Sequence, residues 1–565
     1  MEENKQFYLT SETSEQEKKH VESLDSSKFK FRNDSESLHD QAFETKPISY
    51  LHDCFNRFVK NKSSIVAFFI ILIIALYAII VPISDPKAHV NSTDFPNGYR
   101  DYAFRYATPY NSTFAKLGVW DGKKEKTVSE ATYYMYAYDD SNHTRADLVS
   151  KEETRTVIGS VEYVTTSYVI KENTYYIGNR VVSVSESDYN ALINYEKEND
   201  IYQVEGKSIM KPLIDSAGYL EEYRQTLLDN GETSSLVDNV IDQMTNYYNQ
   251  NPTISYALSA YSPSTGRLSQ NTFYPVLDDN GEPVRIYQTD ENGDLVYYTR
   301  SNAQYSIRVD YFDYFVYHYG FEPYGLFGMN AQGQDIFLRL AQGTRFSLLI
   351  GVGISLLNFI IGLVWGAVSG YYGGKTDLIM ERITDIIGNV PSIIILTICQ
   401  IQFVNSVKLQ ATLGTGGVLI LAILVAFVYN GWIGVASTTR MQFYRFKNQE
   451  YVLASRTLGA KDRRLIFRHI LPNAIGTLVT SCILMIPSVI FSESSLSYLG
   501  IINFSTSGLS SIGTMLDEGK QAGLSANPHV LLFPCVIISL LMISFNLFGN
   551  GLRDAFNTSL KGSED

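Results

Sequence analysis

Cysteine is scarce in this chain: four in 565 residues, and none between positions 84 and 327. A stretch of about 244 residues without a thiol carries no disulfide, so outside the cell it must stand on its hydrophobic core alone. Cys54 lies before the first long apolar run, and Cys399, Cys482 and Cys535 fall inside later ones. Histidine is equally thin: the eight residues are scattered and no pair has metal-ligand spacing, so structural or solvated roles are expected for His89, His143 and His318. No Gly-x-Ser-x-Gly elbow occurs, nor any Cys/His arrangement with supporting context, which removes the usual routes to nucleophilic catalysis. Gly374-Lys375-Thr376 suggests a phosphate loop, but the glycine required at 369 is Ser369, and the triplet follows an apolar run rather than a strand. A tight turn is the better reading, so no ATP site, cofactor or metal is expected in the chain itself. Positive charge is also short: 46 basic against 59 acidic residues give −13, which argues against nucleic acid as a partner.

Long apolar runs are what the chain has in quantity. Residues 65–83 are long enough to cross the hydrocarbon core of a bilayer, and 346–370, 383–403, 416–435, 474–496 and 530–548 are further candidates, which makes six spans. The first is no cleavable signal peptide, because over 60 mostly polar residues precede it and no small-residue cleavage site follows. Arg440, Arg445, Lys447, Arg456, Lys461, Arg463, Arg464 and Arg468 crowd the connection between the fourth and fifth spans, against Glu450 and Asp462. Positive charge stays on the cytosolic side, which places that connection and both termini inside; Arg57, Lys60, Lys62 and Arg553 agree. The negative charge sits elsewhere. Residues 84–327 hold 35 acidic against 20 basic residues, about −15, so this region faces outward.

Residues 1–45 are rich in Ser, Glu, Lys and Asp and too poor in apolar groups to offset ordering entropy, so a disordered cytosolic tail is expected. In 49–62, Tyr50, Leu51, Cys54, Phe55, Phe58 and Val59 recur at helical spacing beside basic residues. That suits a helix on the inner membrane face, or equally a plain extension of the first span. The outer region holds 31 of the 40 tyrosines, and a Tyr-rich surface suits docking of a protein partner, with a passive or oligomerising domain as the competing reading. Residues 154–184 alternate β-branched and Tyr side chains and predict strands. Residues 187–250 predict two or three helices with Gly218 and Gly231 as breaks. The Asn-Gly turns at Asn280-Gly281 and Asn292-Gly293 predict a three-stranded meander over 272–298. The expected fold is thus an all-α polytopic membrane protein with an inserted extracellular α+β domain. Its parts are a tail (1–45), an interfacial helix and first span (46–84), the inserted domain (85–327), a five-span membrane domain (328–558) and a cytosolic end (559–565).

The segment 448–472, between the fourth and fifth spans, is more than a connector. It is basic and helix-forming over about 25 residues, whereas a simple link is short and aperiodic. It reads as two short helices broken at Gly459, the residue type that best tolerates the left-handed turn ending a helix. Small Ala454 and Ser455 sit one turn before the break, where another protein can come close. Pro472 starts the next membrane helix, where its missing N–H costs nothing. The segment is built to plug into a cytosolic partner.

The spacing Ala454-Ser455, Gly459, Leu471-Pro472 resembles the coupling loop of permease subunits of binding-protein-dependent ABC importers, and specifically the C-type permease of oligopeptide and dipeptide importers. Leu453 replaces the acidic residue that often opens that loop, leaving Glu450 as the nearest carboxylate. Outside the second span, Gly328, Gly333 and Asp335 match the family's Gly-Thr-Asp, Gly-Arg-Asp pattern, while Met329, Asn330 and Gln334 depart from it. The lost Arg would have been a bidentate donor. Ser369-Gly370-Tyr371-Tyr372-Gly373-Gly374, Arg382 to Asp385, Pro391-Ser392, Glu493 to Gly500 and Phe545 to Asp554 continue the likeness, which spans about 46–83 and 324–558. The large outer insertion has no counterpart in it.

The resemblance implies a type I importer transmembrane fold of six helices in a bacterial cell membrane. It implies a heterodimer with a second permease, two cytosolic ABC ATPases that bind the ATP, an extracellular substrate-binding lipoprotein, and peptides as cargo. The residues it assigns to ATPase coupling are Glu450, Ala454, Ser455, Gly459, Ala460, Arg464, His469, Leu471 and Pro472. Polar groups within or beside spans are costly and so mark candidates for the pathway or a gate: Asn358, Gln400, Glu493 and Asp335. A structural hydrogen-bonding role competes at Glu493, and Asn358 and Gln400 can instead satisfy one another or a neighbouring helix. Two alternatives stand beside this reading: a membrane-anchored receptor or sensor whose outer domain binds ligand, and an importer of a non-peptide solute such as a nickel complex.

Overall fold

The computed structural model describes residues 50–89, 101–158, 161–229, 231–250, 258–259, 274–275, 279–280, 285–502, 504 and 509–556. The expected tails, 1–45 and 559–565, lie outside these residues. Two compact units are present, 1–57 and 58–565, and of the first the described part is the start of helix α1 (Tyr50–Lys60). Asn61 then caps helix α2 (Lys62–Ser84), its side chain accepting from the Ser64 N–H. α2 is apolar on every side, as a lipid-embedded helix must be.

Beyond α2 the chain builds a strand-containing region. β1 (Lys123–Ser129), α3 (Glu130–Ala137), β2 (Ala146–Ile158) and β3 (Val161–Asn173) come first. The strands form an antiparallel sheet in the order β1-β3-β2, with a register shift between Leu148 and Ser150. β4 (Asn179–Ser185), α4 (Glu186–Glu198), β5 (Met210–Lys211), α5 (Ser216–Asp229) and α6 (Ser234–Gln250) follow, then β6 (Leu258–Ser259), β7 (Tyr274–Pro275), β8 (Tyr298–Ser301), β9 (Gln304–Asp310) and α7 (Tyr311–Tyr319). β9 is the centre of a second sheet, paired with β4, β5 and β8, while β6 pairs with β7.

Three expectations for this region change. Three helices do form in the predicted stretch, and Gly231, in the left-handed region, separates α5 from α6. Gly218, however, lies inside α5; the earlier break falls in the turns between α4 and β5. The meander over 272–298 does not form among the described residues, because β7 turns back to β6 and β8 pairs forward with β9. Its second Asn-Gly turn survives as a tight reversal, with the Gly293 N–H donating to Asp290 O at 3.0 Å under a Thr289–Leu295 bridge. The tyrosines also go elsewhere than expected. Tyr175, Tyr168 and Tyr305 are buried, Tyr189 stacks on Tyr305 at 4.6 Å and Tyr133 on Tyr168 at 4.3 Å. Three tyrosines are thus core, and most of the other described ones are half-buried, several of them packed against the same cores.

The membrane region begins with α8 (Ile336–Tyr372), whose 37 residues rise about 55 Å and overreach the bilayer. α9 (Gly374–Gly388) and α10 (Ser392–Val404) follow, then α11 (Val407–Gly431), α12 (Ile433–Lys447), α13 (Glu450–Thr457), α14 (Asp462–Tyr498), α15 (Ile512–Ala522) and α16 (Pro528–Phe556). Five of the described helices are long and apolar enough to cross a membrane, or six if the bent pair α9–α10 counts as one span. The third expected span, 383–403, is thus not a straight rod. It bends by 67° where Pro391 takes an extended ψ of 130°, and a residue before proline is itself biased out of the helix. α8 lies very close to α12: a Cβ at Gly366 would fall 2.3 Å from Ala436 O, so only glycine allows this approach.

Candidate coupling site

α12 runs directly into the elbow. Its last turn carries Arg445 and Lys447, which suit the negative end of the helix dipole. α13 then presents two faces. Val452 is buried with Tyr371, Phe443, Leu465 and Ile470 in a small core, against which Ala460 and Leu471 also pack. Tyr451, Leu453 and Leu458 point the other way, and Leu458 is 88 % exposed. The turn after α13 is the expected one. Gly459 has φ +83°, the Ala460 N–H donates to Ser455 O at 3.1 Å, and nothing lies within 4 Å of where a Cβ would be.

Past the turn the chain departs from the expected pair of short helices. α14 starts at Asp462 and continues through Tyr498 as one body. Residues Leu465–Ile470 form a π-helical turn immediately before Pro472. Proline within a helix removes one N–H and crowds the carbonyl four residues back, and a wider turn accommodates both. The elbow is therefore one hinge at Gly459 followed by a continuous lever into the membrane. Tyr371 Oη donates to Asp462 Oδ1 at 2.6 Å and ties the base of this lever to the end of α8. Glu450, Ala454, Arg464 and Pro472 are exposed; Ser455, Ala460, His469 and Leu471 are half-buried. Phe467, 63 % exposed, and Leu458 extend this outward surface and were not among the residues singled out by sequence. Their signal was an apolar residue inside a basic run.

The polar groups of the spans, the candidates for a pathway or gate, take the following places within the chain. Asn358 is buried and its Nδ2 donates to Phe427 O at 3.3 Å, pinning α8 to α11. Gln400 is half-buried on α10, and no hydrogen bond between it and Asn358 occurs among the described residues. Glu493 is fully buried on α14 inside a set of serines: Ser497 Oγ donates at 3.0 Å, and Ser347 and Ser494 at 3.3 Å. Ser347 also accepts from the Ile512 N–H, so this node joins α8, α14 and the start of α15. Asp335 caps α8, accepting from the Phe337 N–H at 2.8 Å, and pairs with Lys87 just past α2. Gln334, which stands where the family pattern has an arginine, does meet one. Arg339, one turn into α8, reaches Gln334 and pairs with Glu518 on α15 at 2.7 Å, and Asn330 donates to the same carboxylate. An isolated Arg in an otherwise apolar helix start was the available signal.

In the outer region the fold brings His143 beside Asp310 and Asp313, each with a ligand-type atom within 4.8 Å of the others. Their oxygens are occupied as acceptors: Asp310 Oδ2 from Ser141 Oγ and the Asn142 N–H, Asp313 Oδ2 from Asn142 Nδ2, and Asp313 Oδ1 faces His143 Nε2 at 2.9 Å. Burial alone would lower the His143 imidazole pKa, but the hydrogen bond to Asp313 and its charge raise it on balance. The same pairing holds Asp313 below the usual carboxylate range in spite of burial. Asp139 nearby is pushed up to about 6 by burial and then by Asp140.

A set of membrane-length helices, joined through an elbow of exposed apolar and basic residues, defines an integral-membrane protein. The family described as "Binding-protein-dependent transport system inner membrane component" matches residues 362–562, and the "N-terminal TM domain of oligopeptide transport permease C" matches 49–103. The oligopeptide transport system permease protein OppC of Bacillus subtilis is 43 % identical over 235 residues, covering 42 % of this chain and 72 % of that protein. The dipeptide transport system permease protein DppC of the same organism is 38 % identical, covering 42 % and 69 %. A glutathione transport system permease protein of Pectobacterium atrosepticum is 32 % identical, covering 46 % and 82 %. The chain belongs to the oligopeptide and dipeptide ABC permeases. Residues 104–361, which hold the strand-containing region, lie outside both family matches.

Proposed function

We propose that this chain is one of two permeases that together form the translocation pathway of an ATP-driven peptide importer. Its elbow at 448–472 seats in a cytosolic ATPase, which binds the nucleotide, and an external binding lipoprotein hands over the peptide. The elbow and both termini lie in the cytosol, and the inserted domain faces outward. The observation that carries this reading is the division of the elbow into a buried side (Val452, Leu465, Ile470) and an offered side (Leu458, Phe467, Leu453) around the Gly459 turn. Apolar side chains offered to water at the end of a stiff lever fit a protein partner. A lever continuous from Asp462 to Tyr498 carries a push into the membrane as a rigid body. A receptor or sensor has no use for such a seat.

Affinity purification of the chain from its own membrane tests this. An ABC ATPase is expected to co-purify, and Leu458→Asp is expected to abolish its recovery without lowering the amount of chain in the membrane. Absence of any ATPase from the wild-type preparation would return the receptor reading to first place.

A further inference from the structure

A loop of the outer region carries an apolar tip that the coupling function does not use. Residues 111–120 are closed at the base by a Tyr110–Asp121 bridge and by the Asn111 N–H donating to Trp120 O at 2.9 Å. Asn111 Oδ1 accepts from the N–H groups of Thr113 and Phe114, and the Val119 N–H donates to Phe114 O. The loop is therefore internally bonded, and its apolar side chains are turned out by a defined backbone. Phe114, Leu117 and Val119 are 45 %, 74 % and 56 % exposed, three large apolar groups within six positions.

What lies beside this tip identifies its neighbour. Trp120, against whose ring Phe114 packs at 5.4 Å, touches Phe533 at 5.9 Å and Phe327 at 6.3 Å. Phe327 stacks on Phe533 at 3.9 Å and meets Phe337, which in turn meets Tyr77 of α2. Phe533 lies in the second turn of α16, and Leu532 and Val536 beside it are exposed apolar residues of that membrane helix. Aromatic rings gathered at the ends of membrane helices mark the level of the headgroups. The apolar tip continues that belt sideways, and Lys116 on the same loop is exposed, with no ionic partner among the described residues.

We propose that the 111–120 loop is an interfacial anchor: Phe114, Leu117 and Val119 enter the lipid at the headgroup–acyl boundary, Lys116 meets lipid phosphate, and the inserted domain is thereby held to the bilayer at a second point beyond its chain connections. The occupant is the membrane surface itself, since the patch is continuous with lipid-facing helix surface. Insertion of such a patch scales with apolar area plus attraction to anionic headgroups.

The full chain in lipid vesicles provides the test. Leu117→Trp adds an indole at an exposed position, and Val181→Trp adds one on the second sheet, whose core includes no membrane-helix residue. With brominated lipid, the added emission of the Leu117 variant is expected to be blue-shifted and quenched at least twofold, and that of the Val181 variant to be unaffected. Equal, unquenched, water-like emission from both overturns the proposal. Emission at 117 that is unquenched by lipid but shifts on adding the binding protein also overturns it, and assigns the patch to a protein instead.

Discussion

Arg440 on α12 grips Asp377 on α9 in a two-pronged pair, Nε to Oδ1 at 2.6 Å and Nη2 to Oδ2 at 2.7 Å. Tyr444 Oη donates to the same carboxylate at 2.7 Å, Ser369 donates to it from the end of α8, and Glu381 takes a second edge of the guanidinium. Three helices are thus clamped two turns before α12 enters the elbow. Arg440→Lys keeps the charge and loses the fork. It is expected to cost about 1–2 kcal/mol, because these are charge-assisted bonds at a site still partly open to solvent. A lowered thermal midpoint of the purified protein, together with reduced peptide uptake, checks it; no change in either would mean the clamp is idle.

Gly459 is constrained by its backbone and not by space. A side chain there meets nothing, yet must adopt φ +83°. Gly459→Val is expected to cost about 1–2 kcal/mol locally, since an L-residue pays roughly that in the left-handed region. The turn would open, leaving membrane insertion normal and peptide uptake reduced at least tenfold, as followed by uptake of labelled peptide into cells with matched amounts of chain. Uptake at the wild-type rate would refute the hinge.

Removing the carboxylate of Glu493 strands the serine hydroxyls of the α8–α14–α15 node. Glu493→Ala is expected to destabilise by about 1–3 kcal/mol, the usual penalty for buried groups left unpaired. Glu493→Gln, which still accepts hydrogen bonds, is expected to lose less. Hydrogen exchange at the start of α15 reads the difference; equal protection in both variants would assign Glu493 to something other than packing.

The outer region carries a pH signature with two opposed parts. Asp313 titrates lower in the fold than unfolded, so its contribution is present above about pH 4 and lost as pH falls through its depressed value. His143 titrates higher, so its contribution is complete below about 6.5 and lost as pH rises through the raised value. Asp139 acts in reverse: held protonated up to about 6, it stabilises below its ordinary value of 3.8 and loses that contribution as pH rises towards 6. Amide exchange at 141–145, corrected for intrinsic rate, should therefore speed up as pH rises above about 6.5. His143→Gln should flatten that rise, and Asp139→Asn should alter only the acid side. A rise that persists in His143→Gln would place the switch elsewhere.

The membrane helices and the hinge were legible before any coordinates. Apolar length decides whether a segment can live in lipid, and a left-handed turn after basic helix residues needs only the glycine and its neighbours, so both are local properties. The bend at Pro391 was equally local: Asn389, Pro391 and Ser392 interrupt the apolar residues of 383–403 where the helix breaks. Gly218 did not break a helix because it lies in the first turn of α5, where a glycine costs stability without ending the helix, while Gly231, just past α5, takes the left-handed region.

Composition and pattern along the chain thus settled which segments are apolar enough for the bilayer, that a glycine turn interrupts 448–472, and that no disulfide forms within 84–327. Tertiary structure alone decided that Tyr168, Tyr175 and Tyr305 are core, that Asn358 and Glu493 hydrogen-bond across helices, that Arg339 pairs with Glu518, and that Trp120 meets Phe533. Asn358 and Phe427 lie 69 residues apart, and Trp120 and Phe533 413. No spacing rule reaches that far, because such contacts exist only once the helices and sheets have packed.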